Sequence, residues 1–204
     1  MGAYRDSEEM LHNLTPEQQL KLLITQNSDG DTALHEAAQE GRTKTVKTML
    51  DELTPDQQLQ LLFTQDIYGN TALHYAALRG ATGTEKTRLD YLTADQKLKL
   101  LFTQHSEGNT ALLYAAQKGR TETVKSLLDN LTPEQQLKLL SVQNKQGKTA
   151  SQRAAENYGT SDTITALRQY QSEADYRVNY RKFASLINNS KLCMTPIYMM
   201  LLDD

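Results

Sequence analysis

Apolar residues recur along this chain in short clusters at helical spacing and never in long runs. Leu34, Ala37 and Ala38 stand at i, i+3 and i+4, which gathers them on one face of a helix. Val46, Met49 and Leu50 repeat the pattern downstream, and Leu20, Leu23 and Ile24 repeat it upstream. Polar residues fill the positions between, so each predicted helix is short and buries one narrow stripe. The alanine pair lets neighbouring helices approach closely. Punctuation separates the clusters. Gly30 supplies a turn at no steric cost and Gly41 a break. Thr15-Pro16-Glu17-Gln18 reads as a capping box with proline at the first helical position. Thr32 sits where an N-cap hydroxyl accepts a backbone N–H.

This unit of three short helices after a turn is repeated. GDTALHEAA begins at Gly30, GNTALHYAA at Gly69, GNTALLYAA at Gly108 and GKTASQRAA at Gly147, each step being 39 residues. A second motif keeps the same step: LTPEQQLKLL from Leu14, LTPDQQLQLL from Leu53, LTADQKLKLL from Leu92 and LTPEQQLKLL from Leu131. Two independent motifs in register are the mark of a solenoid, in which each unit buries its apolar face only against its neighbours.

Over residues 26–170 the turn glycine, threonine, leucine, histidine, paired alanines and second glycine stand at the offsets of the ankyrin repeat, which the chain closely resembles. Three departures accompany the resemblance. Alanine follows the threonine where the family usually has proline. The period is 39, because a third helix takes the place of a short loop. The last copy is worn, with Ser151 and Gln152 in place of leucine and histidine and one residue added at Asn157-Tyr158-Gly159. HEAT and armadillo units have comparable periods but lack the glycine-threonine hairpin signature, and rank well behind. The expected fold is therefore all-α, an ankyrin-type repeat solenoid with helical caps. Its expected parts are a partial repeat at 1–27, repeats at 28–66, 67–105 and 106–144, a degenerate repeat at 145–171 and a helical cap with an apolar tail at 172–204.

The ends and the second repeat stand out from the pattern. Residues 8–13 align with the end of a second helix, which predicts an N-terminal cap. Tyr176, Tyr180, Phe183 and Ile187 form an amphipathic stripe, expected to cover the open face of the last repeat. In repeat two, Glu85 and Arg88 replace the apolar Val46 and Met49 of repeat one, and Gly83 weakens the same helix. A charge pair at i, i+3 or a helix displaced toward solvent accounts for these.

Composition narrows the class of function. Apolar residues make up 38% of the chain and tryptophan is absent, too little for one large central core and enough for a thin extended one. The net charge is −3 with no basic stripe, which disfavours nucleic acid as a partner. Nothing reaches the length of a membrane span or resembles a signal peptide. The single cysteine, Cys193, cannot close an internal disulfide and suits a reducing compartment, so the expected location is cytoplasmic. Export into a host cell is the alternative, since ankyrin proteins include exported effectors and the tail around Leu201-Leu202 is compatible with that.

No catalytic, cofactor or metal site is expected. By the ankyrin resemblance, His35 and His74 bond backbone groups of the neighbouring repeat, and repeat three carries Leu113 at that position. His12 and His105 stand alone, and no phosphate-binding glycine loop occurs. The resemblance implies instead a monomeric protein-binding module acting through hairpin tips and the concave face of the first helices. Carried over, the partner-binding positions are Ile67, Tyr68, Asn70, Tyr75, Leu78 and Arg79 in repeat two and Glu107, Asn109, Tyr114 and Lys118 in repeat three. A targeting arm of a larger enzyme or effector, and a structural spacer, are the rival readings.

Overall fold

The fold, taken from a computed structural model, is described over residues 14–81, 92–129, 131–156 and 161–189, with side chains to Leu186 in the last stretch. These residues form eleven helices and no strand: α1 (Pro16–Leu23), α2 (Ala33–Gln39), α3 (Thr43–Asp51), α4 (Pro55–Phe63), α5 (Ala72–Arg79), α6 (Ala94–Leu101), α7 (Ala111–Gln117), α8 (Thr121–Leu128), α9 (Pro133–Leu140), α10 (Ala150–Glu156) and α11 (Ser161–Asn189). The expected all-α repeat architecture is present. The N-terminal segment 8–13, the Glu85 and Arg88 helix, Cys193 and the apolar tail 192–202 lie outside the described residues.

The third helices, α1, α4, α6 and α9, start from one chemical device. Thr15, Thr54, Thr93 and Thr132 each donate a backbone N–H to the glutamine three residues on, at 2.8–3.0 Å, and each hydroxyl accepts that glutamine's N–H in return. The following glutamine has a separate task. Gln58 Nε2 donates to the carbonyls of Leu50 and Leu53 at 2.8 and 3.1 Å, and Gln136 Nε2 to Leu128 at 3.0 Å. Carbonyls at a helix end have no partner within the helix, so each buried glutamine closes the second helix before it. The copy in repeat two has Lys97 at this place and Ala94 for proline.

The first helices α2, α5, α7 and α10 stack side by side in chain order. The alanine pairs of α2, α5 and α7 and the leucines Leu34, Leu73 and Leu112 are buried between them, whereas in α10 Ala154 is buried and Ala155 exposed. Ala72, Ala111 and Ala150 are buried at the start of their helices, whereas Ala33 is exposed at the first described repeat. The core falls into an N-terminal and a C-terminal cluster, and Phe63 and Leu92 pack against both.

The threonines that open these helices cap them in two ways. Thr110 Oγ1 accepts from Leu113 N at 3.4 Å, as expected of an N-cap hydroxyl. In α2 and α5 the histidine supplies the cap instead: Thr32 N and Thr71 N donate to Nδ1 of His35 and His74 at 3.1 Å. A backbone N–H can only donate, so Nδ1 is the acceptor, the threonine hydroxyl at 2.8–2.9 Å also points its proton at it, and Nε2 carries the ring hydrogen. His35 Nε2 then donates to the Asn70 carbonyl of the next repeat at 3.1 Å. In the worn fourth copy Gln152 Oε1 accepts from Thr149 N at 2.9 Å, so a glutamine substitutes for the ring.

At the C-terminal end, α11 runs unbroken for 29 residues across the expected boundary between repeat and cap. Thr163, Ala166, Leu167 and Ala174 are buried where α11 meets α8, α9 and α10, and Tyr170 donates to Asp129. The aromatic stripe is not the covering face. Tyr176, Tyr180 and Phe183 are 71%, 41% and 49% exposed, and the Ile187 side chain is not described. Geometry gives the reason. The covered line runs through buried Thr163, Leu167 and Ala174 and half-buried Tyr170 and continues to half-buried Val178 and exposed Arg181, which bonds Glu134 at 3.1 Å. Tyr176 and Tyr180 each sit two positions further along than this line, about 200° around the helix. Substituting Tyr176 and Phe183 together by serine should therefore shift the urea-unfolding free energy by no more than about 0.5 kcal/mol. Leu167→Ala should cost about 2–5 kcal/mol. The opposite order of effects would return the covering role to the stripe.

Candidate partner-binding surface

Hairpins link each third helix to the next first helix, and a single side chain closes each turn. Asn27 Oδ1 accepts from the backbone of Asp29 and Asp31 at 2.9 Å, and Asp66 Oδ1 from Tyr68 and Asn70 at 2.8 and 2.7 Å. Asn144 does the same for Gln146 and Lys148, while in repeat three His105 Nδ1 accepts from Asn109 N at 3.0 Å. The preceding glutamine ties neighbouring turns together, with Gln26 Nε2 donating to the Gln65 carbonyl at 2.9 Å and Gln104 Nε2 to Gln143 at 3.0 Å.

The tips are bonded to one another in sequence. Ile67 N donates to the Asp29 carbonyl at 3.2 Å, Ser106 N to Tyr68 at 2.7 Å, and Lys145 N to Glu107 at 3.0 Å. The closeness of this row explains the turn glycine. Gly30 has φ +79°, and a Cβ there would lie 2.7 Å from Ile67 N, so both conformation and space exclude a side chain. Four tips thus form one continuous edge beside the stacked ends of α2, α5, α7 and α10.

The candidate residues separate into two groups. Ile67 and Tyr68 are 63% and 55% exposed at the second tip, Glu107 is exposed at the third, and Arg79 and Lys118 are exposed at the C-terminal ends of α5 and α7. Leu78 is half-buried, and its carbonyl accepts from Arg120 Nε at 3.3 Å. Asn70 and Asn109 are corrections: both are buried. Asn70 Nδ2 donates to Asp66 Oδ2 at 2.9 Å, and Asn109 Oδ1 accepts from Asn144 Nδ2 at 2.9 Å, so these amides are joints of the hairpin row. Tyr75 and Tyr114 are half-buried between repeats. Tyr75 meets the His35 ring edge-on at 5.7 Å and donates to Asp66 Oδ2 at 2.8 Å. Tyr114 packs against His74 and His105 at 6.0 and 5.1 Å. Packing alone accounts for both tyrosines.

Electrostatics describe the interior cluster as structural. Burial pushes the Asp66 carboxyl up, but the hydrogen bonds from Asn70, Tyr75 and Tyr68 together hold it below the ordinary carboxylate value. Burial, then the bond to Asp66, raises the Tyr75 phenol. Burial, then the nearby His105, lowers His74 to about 4. Near pH 7 the group is an ionised carboxylate fully engaged by donors, with neutral rings around it. Among the described residues, no group of three or more His, Cys, Asp or Glu is placed to hold a metal ion, and no helix is long and apolar enough to cross a membrane.

Two determinants of this surface escaped the sequence reading: the turn-closing Asn27, Asp66, His105 and Asn144, and the glutamine before each. Their signal was present, since Gln26-Asn27, Gln65-Asp66, Gln104-His105 and Gln143-Asn144 keep the same step as the other motifs. Variation among asparagine, aspartate and histidine hid a shared acceptor.

A helical solenoid with a bonded row of hairpin tips defines an α-helical repeat protein. The family model for ankyrin repeats in three copies matches residues 2–87 and 81–180, and the chain belongs to the ankyrin-repeat family. No curated protein matches the chain. Ankyrin repeats are in general protein–protein interaction modules and are typically without enzymatic activity.

Proposed function

We propose that this chain binds a partner protein along the hairpin edge and the first helices behind it, with the tip of repeat two as anchor and Arg79, Glu107 and Lys118 as further contacts. One observation carries the reading. Ile67 and Tyr68 stand exposed at the second tip, where the corresponding pairs are Ser28 with Asp29, Ser106 with Glu107, and Lys145 with Gln146. An apolar and aromatic pair at a turn tip adds little to a repeat core, and its composition is that of an interface hot spot. The rigid, mutually bonded tips favour a largely preformed surface. The same proposal takes the protein as an intracellular monomer, supported by its single cysteine, which acts as a recognition module or as the targeting arm of a longer effector.

Affinity capture with mass spectrometry identifies the partner, and calorimetry then tests the site. Tyr68→Ala combined with Arg79→Ala should weaken binding by about 2 kcal/mol or more, roughly thirtyfold, while the thermal midpoint stays within a degree or so. A double variant that binds as tightly as the parent sinks the proposed site.

A further inference from the structure

The same edge is electrically polarised along its length, and this deepens the reading above, on which it rests. At repeat one the tip and first helix carry Asp29, Asp31, Glu36 and Glu40, with only Glu40 bonded to an arginine, Arg42, at 2.6 Å. Repeat two contributes Ile67 and Tyr68 at its tip and Arg79 at the C-terminal end of α5. Repeat three is balanced, Glu107 against Lys118. At repeat four stand Lys145, Lys148 and Arg153, offset in part by Glu156, which pairs with Lys148 and lies 3.9 Å from Arg153. The backbone bonds from tip to tip and the stacking of the first helices place the four repeats in this order: acidic, apolar, balanced, basic. Mixed charges for solubility alone would be interspersed; here the two signs are collected at opposite ends with an exposed apolar pair between them.

We infer that the occupant of this edge is an extended peptide segment of the partner, of opposite polarity to the row. Stacked helices lie about 8–10 Å apart, so three intervals between four tips cover about 24–30 Å. At about 3.3 Å per extended residue, that is roughly seven to nine residues. The segment carries basic residues where it meets repeat one, an apolar or aromatic residue about three positions further on against Ile67 and Tyr68, and acidic residues where it meets repeat four. The exposed ends are screened by salt, so the charges set orientation and the central pair sets the anchor.

Panning a random peptide library of ~12 residues, long enough to span the row, against the folded protein tests this. Peptides competed away by loss of the anchor are identified with an Ile67→Ser, Tyr68→Ser variant. The expected consensus is basic, then apolar or aromatic, then acidic, at the stated spacing. A second variant, Asp29→Lys with Glu36→Lys and Lys145→Glu, alters exposed side chains only and should bind the selected peptides at least tenfold more weakly. Panned afresh, it should select peptides with no charge order, because the substitutions cancel the charge of both ends. Anchor-dependent peptides without charge order from the unsubstituted protein would overturn the polarity and leave the proposed function standing. Enrichment of no peptide that depends on Ile67 and Tyr68 would overturn both.

Discussion

Replacing Leu73 by alanine should lower the unfolding free energy by about 2–5 kcal/mol, the range for a buried leucine whose cavity cannot fully collapse. Leu73 is 1% exposed in α5, between the stacked helices α2 and α7, and joins Leu100, Leu101 and Leu112 in the C-terminal cluster. The surrounding leucines and alanines have little freedom to close the gap, because each also packs in its own repeat. Leu34, at the first described repeat, has neighbours that can relax more easily, so Leu34→Ala should cost less. In a repeat array, stability is roughly a sum of unit and interface terms, and a lesion in a central unit weakens two interfaces at once. Urea unfolding followed by circular dichroism measures the effect. An unchanged midpoint would mean that the leucine is exposed and that the register of α5 is wrong.

Acid should weaken the fold through His74 well before carboxylates protonate. The ring is buried, Nδ1 caps α5 by accepting from Thr71 N at 3.1 Å, and burial followed by the positive potential of His105 lowers the pKa to about 4. An unfolded histidine titrates near 6.5, so between about 6.5 and 4 the unfolded chain binds a proton that the folded chain refuses. The stability is complete above pH 6.5 and falls as pH drops toward 4. About 2.5 pKa units at about 1.36 kcal/mol each give a loss of roughly 3 kcal/mol from this one group. His105 is shifted in the same direction, burial being its leading cause, and steepens the fall. His74→Leu, the residue that stands as Leu113 in the next repeat, should remove most of the slope when urea unfolding is compared at neutral and mildly acidic pH. A variant with the same slope as the parent would place the acid sensitivity elsewhere.

The sequence by itself determined the repeat, its period and its helix starts, because these are local. A threonine with glutamine three residues on closes the same two bonds in every copy, and i, i+3, i+4 leucines and alanines face inward wherever a neighbour stacks. Ile67 and Tyr68 were legible at a tip for the same reason: a turn residue with no partner in its own unit points outward. Tertiary structure decided the rest. Asn70 and Asn109 look like exposed tip residues until the next hairpin is laid against them, and the register between hairpins is what turns their amides inward. Tyr75 and Tyr114 become packing residues only because histidines of adjacent turns come to within ring contact. The long C-terminal helix carries two apolar rows, one through Leu167 and Ala174 and one through Tyr176, Tyr180 and Phe183. A 3.6-residue period marks both equally. Which one is buried depends on how α11 leaves repeat four and lies across α8 and α9, and small side chains there permit the close approach that an aromatic row would prevent.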